Sequence, residues 1–195
     1  MDSTPANETA PEAFSPSVQA KVLLEAVARG CSDGRHLLEI RSRSATGGMD
    51  SAFFEPNQIN EAAEYAVEVG AKADTFVGMG LRNRRSGSGV AVDELHLLWV
   101  DGDTDEALDA LAAYEPSPGF VVRSGGRTEL GRPKIHAYWP LRRPVPVKLV
   151  KPTLKRLAAA LSADPACVDA ARIMRVPGTF NFKSDPPAPV ELELP

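Results

Sequence analysis

Two aspartates, Asp101 and Asp103, have the clearest capacity for chemistry in this sequence. They directly follow an apolar segment at residues 96–100, which predicts a buried strand. Because alternate residues of an extended chain share a face, the two carboxylates project together, about 7 Å apart at the backbone. Such a pair can hold two divalent metal ions about 4 Å apart, the arrangement that serves in-line phosphoryl transfer.

A structural role for Asp103 is the alternative. A helix is predicted over residues 106–114, and Asp103 stands at the position of a helix N-cap. Glu106 follows three residues later, as in a capping box. The sequence leaves both interpretations of Asp103 open.

A second group surrounds His136, on a strand predicted over residues 135–139. Arg132, Lys134 and His136 alternate along the chain, so all three can face one side and bind the oxygens of a triphosphate. Ser124 begins a Ser-Gly-Gly turn whose backbone N–H groups can add to that site. The alternative is that His136 is a core or rim residue.

The third group is residues 164–183, DPACVDAARIMRVPGTFNFK. A short helical segment is predicted within it, and Asp164 before Pro165 is typical of a helix N-cap. Asp169 has no such structural explanation and is therefore the preferred functional acid. A local ion pair between Asp169 and Arg172 is the competing interpretation. Three cations accompany the acids: Arg172, Arg175 and Lys183.

The basic residues are unevenly distributed. Residues 123–156 contain ten basic residues and one acid, a net charge of +9, although the whole chain carries −4. These basic residues, the basic strip, could bind a polyanion at one part of the protein surface. The predicted contacts to a nucleic-acid backbone are Arg142, Arg143 and Lys148. A solvated basic face is the alternative.

Composition limits the class of protein. A hydrophobic fraction of 43% and a charged fraction of 25% are those of an ordinary globular protein. No apolar run approaches the roughly 18 residues of a membrane span, and the start of the chain lacks a signal-peptide pattern, so a cytoplasmic location is expected.

Cys31 and Cys167 form no CxxC motif, so neither a disulfide framework nor a zinc knuckle is indicated. Both are expected to be buried apolar residues.

The pattern of elements predicts one catalytic domain over residues 17–195, after a disordered N-terminal tail at residues 1–16. An N-terminal α/β module is expected over about residues 17–90 and a catalytic module over about residues 91–195. In the second module a strand leads into the two aspartates, and a further helix is predicted over residues 153–161. The order strand–helix–strand–strand–helix–strand indicates an α+β or split βαβ sheet.

Taken in order, the three groups resemble the archaeo-eukaryotic primase superfamily, and most of all the primase-polymerases of phages and plasmids. That family has a DxD/E pair, an SxH motif and a later acid that follows a hydrophobic residue. Asp101 and Asp103 match the first motif, His136 the second, and Asp169 after Val168 the third. Lys134 stands where the family usually has Ser. The resemblance covers about residues 95–183.

The resemblance implies an RRM-like catalytic sheet packed with the N-terminal α/β module. It implies template-directed nucleotidyl transfer, for primer synthesis or DNA extension, in phage or plasmid replication. Mg²⁺ or Mn²⁺ would bind Asp101, Asp103 and Asp169, beside a nucleoside or deoxynucleoside triphosphate. The nucleotide would contact Ser124, Arg132, Lys134, His136, Arg172, Arg175 and Lys183. A single-stranded or primed DNA template and a fused or associated helicase are the expected partners of a monomer.

Two other functions fit part of the pattern. A DxD nucleotide-sugar transferase accounts for Asp101 and Asp103 but gives residues 164–183 no role. A non-catalytic module that binds single strands on an RRM-like sheet needs exposed aromatic residues on central strands. Tyr138 and Trp139 are the candidates for that role.

Overall fold

The computed structural model describes residues 14–31, 34–43 and 46–195. Residues 1–13 of the predicted tail lie outside this part of the chain. Pro16, the last residue of that predicted tail, already begins the first helix, and Ser15 is its N-cap. The Ser15 hydroxyl accepts a hydrogen bond of 3.4 Å from the Val18 N–H, and Pro16 occupies the first helical position.

Four helices and ten strands follow one another along the described residues. The helices are α1 (Pro16–Val27), α2 (Ile59–Gly70), α3 (Asp105–Ala112) and α4 (Val147–Ala160). The strands are β1 (Leu38–Arg43), β2 (Met49–Phe54), β3 (Thr75–Gly78), β4 (Leu81–Arg82), β5 (Val92–Gly102), β6 (Phe120–Arg127), β7 (Pro133–Pro146), β8 (Ile173–Arg175), β9 (Thr179–Asn181) and β10 (Ala188–Glu193). The predicted α+β class is confirmed.

The strands form two antiparallel sheets, which carry the two halves of the site. The first has the order β2-β1-β3-β8, with α1 packed against α2 beside it. The second has the order β4-β5-β7-β6-β10-β9, with α3 and α4 packed on β5. In its ladder β5 pairs with β7, and this places Asp101 directly opposite His136.

The sheets do not follow a division of the chain near residue 90. Strand β4 belongs to the second sheet, whereas β8, from the far end of the chain, belongs to the first. A fully buried ion pair of 2.7 Å joins Arg82 on β4 to Glu39 on β1. One apolar core runs through both halves, from Leu24 and Ile40 to Trp99. The two sheets therefore pack as parts of one structure.

The prediction of a helix within residues 164–183 is wrong. The Asp164 carboxylate accepts a hydrogen bond of 2.8 Å from the Ala166 N–H and closes a turn, and the chain then forms β8 and β9. The alanines at 166, 170 and 171 favour a helix locally. Pairing of Met174 with Val77 of β3 outweighs that preference.

The start of α4 also differs from its prediction at residue 153. The helix begins at Val147 and includes Pro152. Proline gives up one helical hydrogen bond there. Burial of Val150 and Leu154 on the same face, against β5, continues the helix past it. Within the described residues no helix is both long enough and apolar enough to cross a membrane.

Candidate active site

A cavity of about 740 Å³ opens between the two sheets, a size suited to a small-molecule ligand. Strands of both sheets line it. Eight of the residues singled out from the sequence lie around it: Asp101, Asp103, Ser124, Lys134, His136, Arg172, Arg175 and Lys183. The structure thus brings together side chains from all three sequence groups.

The two aspartates lie at the carboxyl end of β5. Thr104 is the N-cap of α3, because its hydroxyl accepts a hydrogen bond of 3.2 Å from the Ala107 N–H. The capping interpretation of Asp103 is therefore wrong. Its carboxylate instead forms an ion pair of 3.2 Å with Lys134.

The acid that lies beside Asp101 is Asp164. The Cys167 Sγ lies 3.4 Å from a carboxylate oxygen of Asp101 and 3.3 Å from one of Asp164, so its single S–H can donate to either. One potential metal-binding atom from each of these three residues lies within 4.8 Å of the others. A third carboxylate thus joins the predicted pair, from the turn after α4.

Asp169, the acid preferred from the sequence, lies on the surface beside Arg172. Its carboxylate forms an ion pair of 2.8 Å with Arg172, and its side chain is 50% exposed. Neither Asp169 nor Asp164 is among the described residues that line the cavity, but Asp164 contacts Cys167, which lines it. The choice of Asp169 over Asp164 rested on the helix predicted for this segment. Without that helix, Asp164 is not a helix cap, and its carboxylate faces Asp101.

Burial and repulsion set the ionisation of Asp101. Burial, followed by the charge of Asp103, raises the pKa of the Asp101 carboxyl to about 7, and Asp164 adds to the effect. Among the described residues none donates a hydrogen bond to its buried Oδ1, and His136 Nε2 is 3.7 Å from it. A buried oxygen of this kind is costly unless a donor or cation satisfies it. The carboxylates therefore fit a divalent cation with oxygen ligands.

His136 is buried on β7 and is uncharged at neutral pH. Burial, together with the positive charge of Arg175, lowers the pKa of its imidazole to about 4. Its Nδ1 lies 3.5 Å from the Tyr138 hydroxyl. Neutral imidazole has one donor and one acceptor nitrogen, so His136 can exchange one directional hydrogen bond with a ligand.

The remaining wall of the cavity is basic. Six cations line it against two aspartates: Arg43, Arg127, Lys134, Arg172, Arg175 and Lys183. Arg175 is held rigidly, by an ion pair of 2.5 Å with Asp74 and by packing over the Phe76 ring at 5.1 Å. This excess of positive charge suits a polyanionic ligand such as a triphosphate.

Sequence reasoning overlooked two residues of this wall. The Asn181 side chain donates a hydrogen bond of 2.9 Å to the Ser124 carbonyl and so holds the Gly-rich turn. Gly125 in that turn has a φ of +77°, and a Cβ there would come within 2.9 Å of the Asn181 Cβ. Cys167 is buried as predicted, yet it also contacts both acids. Asn181 lies within the third sequence group, which was the available signal.

Four predicted contact residues lie outside the cavity. Arg132 forms an ion pair of 2.8 Å with Asp109 of α3 instead. Arg142 and Arg143 are exposed on the distal part of β7, and Lys148 is exposed at the start of α4. Arg142 lies six positions after His136, which is about 20 Å along an extended strand.

Three solved structures are similar to this chain. The AEP domain of the cyanophage S-2L primase-polymerase is 17% identical, with a TM-score of 0.65 over 90% of this chain and 88% of that one. The primase RepB′ is 19% identical, with a TM-score of 0.60 over 88% of this chain and 56% of that one. The catalytic domain of RepB′ in complex with initiator DNA is 21% identical, with a TM-score of 0.59 over 88% and 84%.

This chain has the archaeo-eukaryotic primase fold. The resemblance of the three sequence groups is thereby confirmed at the level of fold. By sequence, no family model and no curated protein matches the chain. In this primase fold, Asp101, Asp103 and six cations line one cavity between the sheets, and Asp164 contacts Cys167, which also lines it.

Proposed function

We propose that this chain is the catalytic domain of a DNA primase-polymerase, which joins nucleotides on a template strand. The observation that carries the proposal is the convergence of Asp101, Asp103 and Asp164 beside a basic cavity in an archaeo-eukaryotic primase fold. The protein in one of the similar structures is a primase in complex with initiator DNA. That supports single-stranded or primed DNA as a partner here.

Asp101, Asp103 and Asp164 would hold Mg²⁺ or Mn²⁺. When bound, such ions activate the attacking hydroxyl and neutralise the leaving pyrophosphate. The raised pKa of Asp101 follows from burial and like charges, so a cation in contact with the carboxylates would stabilise the ionised form. Lys134 pairs with Asp103 and lines the cavity, so its ammonium group would also contact a phosphate bound there.

The basic wall would bind and orient the triphosphate. Arg175 cannot swing away easily, because Asp74 and Phe76 fix its guanidinium. Arg172 and Lys183 line the same wall, and neutral His136 can donate one hydrogen bond to a phosphate oxygen. Fixed donors of this kind position the phosphate that is attacked. Arg142, Arg143 and Lys148, outside the cavity, would contact the DNA backbone.

Observations on other residues disfavour the two alternatives. Tyr138 is fully buried, and the Trp139 indole N–H is bonded to the Pro116 carbonyl at 2.8 Å. These rings are not an open platform for stacked bases. A nucleotide-sugar transferase would leave Asp164, Arg172 and Arg175 without a role.

The test is nucleotide incorporation by the whole chain. Primed and unprimed templates are supplied with ribo- or deoxynucleoside triphosphates and with Mg²⁺, Mn²⁺ or a chelator. We expect incorporation that follows the template sequence and stops with the chelator. Asp103→Asn should abolish it, whereas Asp109→Asn, a 75% exposed acid outside the cavity, should not. Absence of templated incorporation under every condition would contradict the proposal.

A further inference from the structure

A second group of metal-ligating side chains lies outside the cavity. Cys31 follows α1, His36 precedes β1, and Glu94 lies on β5. One ligand atom from each lies within 4.8 Å of the other two. None of the three lines the cavity described above. Their chemistry is therefore separate from the proposed polymerase site.

The orientation of His36 is fixed by hydrogen bonds at both of its ring nitrogens. Its Nε2 donates to the Asp93 carboxylate at 3.0 Å, and its Nδ1 lies 3.1 Å from the Cys31 sulfur. With the proton on Nε2, the lone pair of neutral Nδ1 faces the thiol. Histidines that bind metal ions ordinarily donate their other N–H to a carboxylate in this manner.

A bulge in β5 explains how two neighbouring acids reach the same group. In the ladder with β4, Glu94 is opposite Leu81 and Val92 is opposite Arg82, so Asp93 is the extra residue. A bulge changes the direction of a side chain relative to the regular alternation. Asp93 thus supports His36, while Glu94 reaches the ligand group. Oε2 of Glu94 accepts a hydrogen bond of 2.9 Å from His96, which orients that carboxylate in turn.

We propose that Cys31, His36 and Glu94 bind a Zn²⁺ ion. Sulfur, imidazole nitrogen and carboxylate oxygen are the ligands that Zn²⁺ takes in proteins, and three protein ligands leave one tetrahedral position for water. On binding, the Cys31 thiol releases its proton to solvent and the thiolate bonds to the ion. Two anionic ligands then balance the two positive charges.

A nucleophilic thiol is the other chemistry that a Cys–His–Asp series suggests. Glu94 argues against it. A carboxylate close to the sulfur disfavours the thiolate by like-charge repulsion, unless a cation lies between them. The same carboxylate strengthens a cation site. The composition of the group therefore favours a metal ion.

The ion would connect parts of the chain that are far apart in sequence. Cys31 and His36 bracket the connection between α1 and the first sheet, whereas Glu94 belongs to the second sheet. An ion that binds only the folded chain adds to its stability. The site thus acts as a cross-link between the two sheets.

Cobalt provides the test, because Co²⁺ replaces Zn²⁺ and a thiolate bound to it absorbs in the near ultraviolet by charge transfer. We expect the wild-type chain to develop this band with one equivalent of Co²⁺ and to lose it when Zn²⁺ is added. Cys31→Ser should lack the band. Cys167→Ser is the matched control, since the chain has two cysteines, and should retain it.

Two further variants keep the test decisive if Cys31→Ser fails to fold. Asp93→Asn should keep the band but weaken Zn²⁺ binding by about 10–100-fold, because the support of His36 is lost. Glu94→Gln should also weaken binding. A band that disappears with Cys167→Ser, or wild-type affinity in both acid variants, would overturn the proposal. These readouts measure binding alone, so they are independent of whether the chain polymerises nucleotides.

Discussion

The backbone N–H of Asp164 donates a hydrogen bond of 3.2 Å to the carbonyl oxygen of Asp101. This bond attaches the turn after α4 to the end of β5. The Cys167 thiol lies within hydrogen-bonding distance of both carboxylates and joins the same two segments through side chains. The position of the third acid is therefore set by backbone as well as by side-chain contacts.

Asp164→Asn should lower nucleotide incorporation by about 100-fold or more. A metal ion supplies several kcal/mol of charge stabilisation, and each 1.36 kcal/mol is about tenfold in rate. Asparagine can still accept the bond from the Ala166 N–H, so the turn should persist. Steady-state incorporation on a primed template measures the loss.

Asp169→Asn is the matched control for that experiment. It removes only a half-exposed ion pair with Arg172, worth a few tenths of a kcal/mol. Most of the activity should remain. If the Asp169 variant is inactive and the Asp164 variant is active, the third metal ligand is Asp169 and not Asp164.

Thr104→Ala and Asp103→Asn should have opposite effects on stability. The first removes the N-cap of α3 and should lower the free energy of unfolding by about 1 kcal/mol. The second removes a like charge beside buried Asp101, so stability should be unchanged or higher without metal. Urea denaturation in the presence of a chelator measures both. If Asp103→Asn lowers the free energy of unfolding by about 1 kcal/mol, Asp103 and not Thr104 caps α3.

Asp74→Asn should destabilise the protein in a manner that depends on pH. Burial alone would raise the pKa of this carboxyl, but bonds from Arg175, the Phe182 N–H and Arg43 outweigh burial and hold the pKa below its usual value of 3.8. Loss of the charge leaves Arg175 buried without its partner, a change that costs about 3–5 kcal/mol.

The sign of the pH dependence follows from the lowered pKa of Asp74. Its contribution is complete above pH 3.8 and is lost as the pH falls further, through the folded-state pKa. The difference in unfolding free energy between wild type and variant should therefore be constant at neutral pH and shrink in strong acid. Urea titrations from pH 7 to below 3.8 measure it. If this difference in unfolding free energy grows in acid, Asp74 does not stabilise the fold as an ionised carboxylate.

Replacing Arg142 and Arg143 together with alanine should weaken DNA binding. The slope of log affinity against log salt should become shallower by about one to two units, because fewer counterions are released. Arg123→Ala is a control from the same basic strip, since Glu193 already pairs with Arg123 at 2.8 Å. If the double variant leaves this slope unchanged, the two arginines do not contact DNA and are merely part of a solvent-exposed surface.

Much of the site could be predicted because its residues lie in locally regular segments. The apolar strand before Asp101 is a pattern of a single strand, and the structure keeps it. Of the alternating residues around His136, Lys134 and His136 share the cavity, whereas Arg132 lies before β7 and pairs with Asp109.

The third group could not be read in this way. This segment forms a strand because it pairs with β3, which lies far earlier in the chain. Arg175 likewise contacts Asp74, which lies 101 positions earlier.

The preference for Asp169 over Asp164 depended on the same local reasoning. A cap on a helix was a sufficient explanation of Asp164 only while that helix was expected. Cys31, His36 and Glu94 were likewise not recognisable as a group, because Glu94 comes from a strand far along the chain. Local spacing carries no information about such contacts.

The alternation of the chain between the sheets limits how this domain can recombine. Strand β8 completes the first sheet, and β9, which begins four residues after β8 ends, belongs to the second. A chimera that exchanged residues 17–90 for those of a related protein would present a foreign β3 to the native β8. Arg175, on β8, would lose the Asp74 that fixes it unless the donor supplied an equivalent acid. The two halves of this domain must therefore change together.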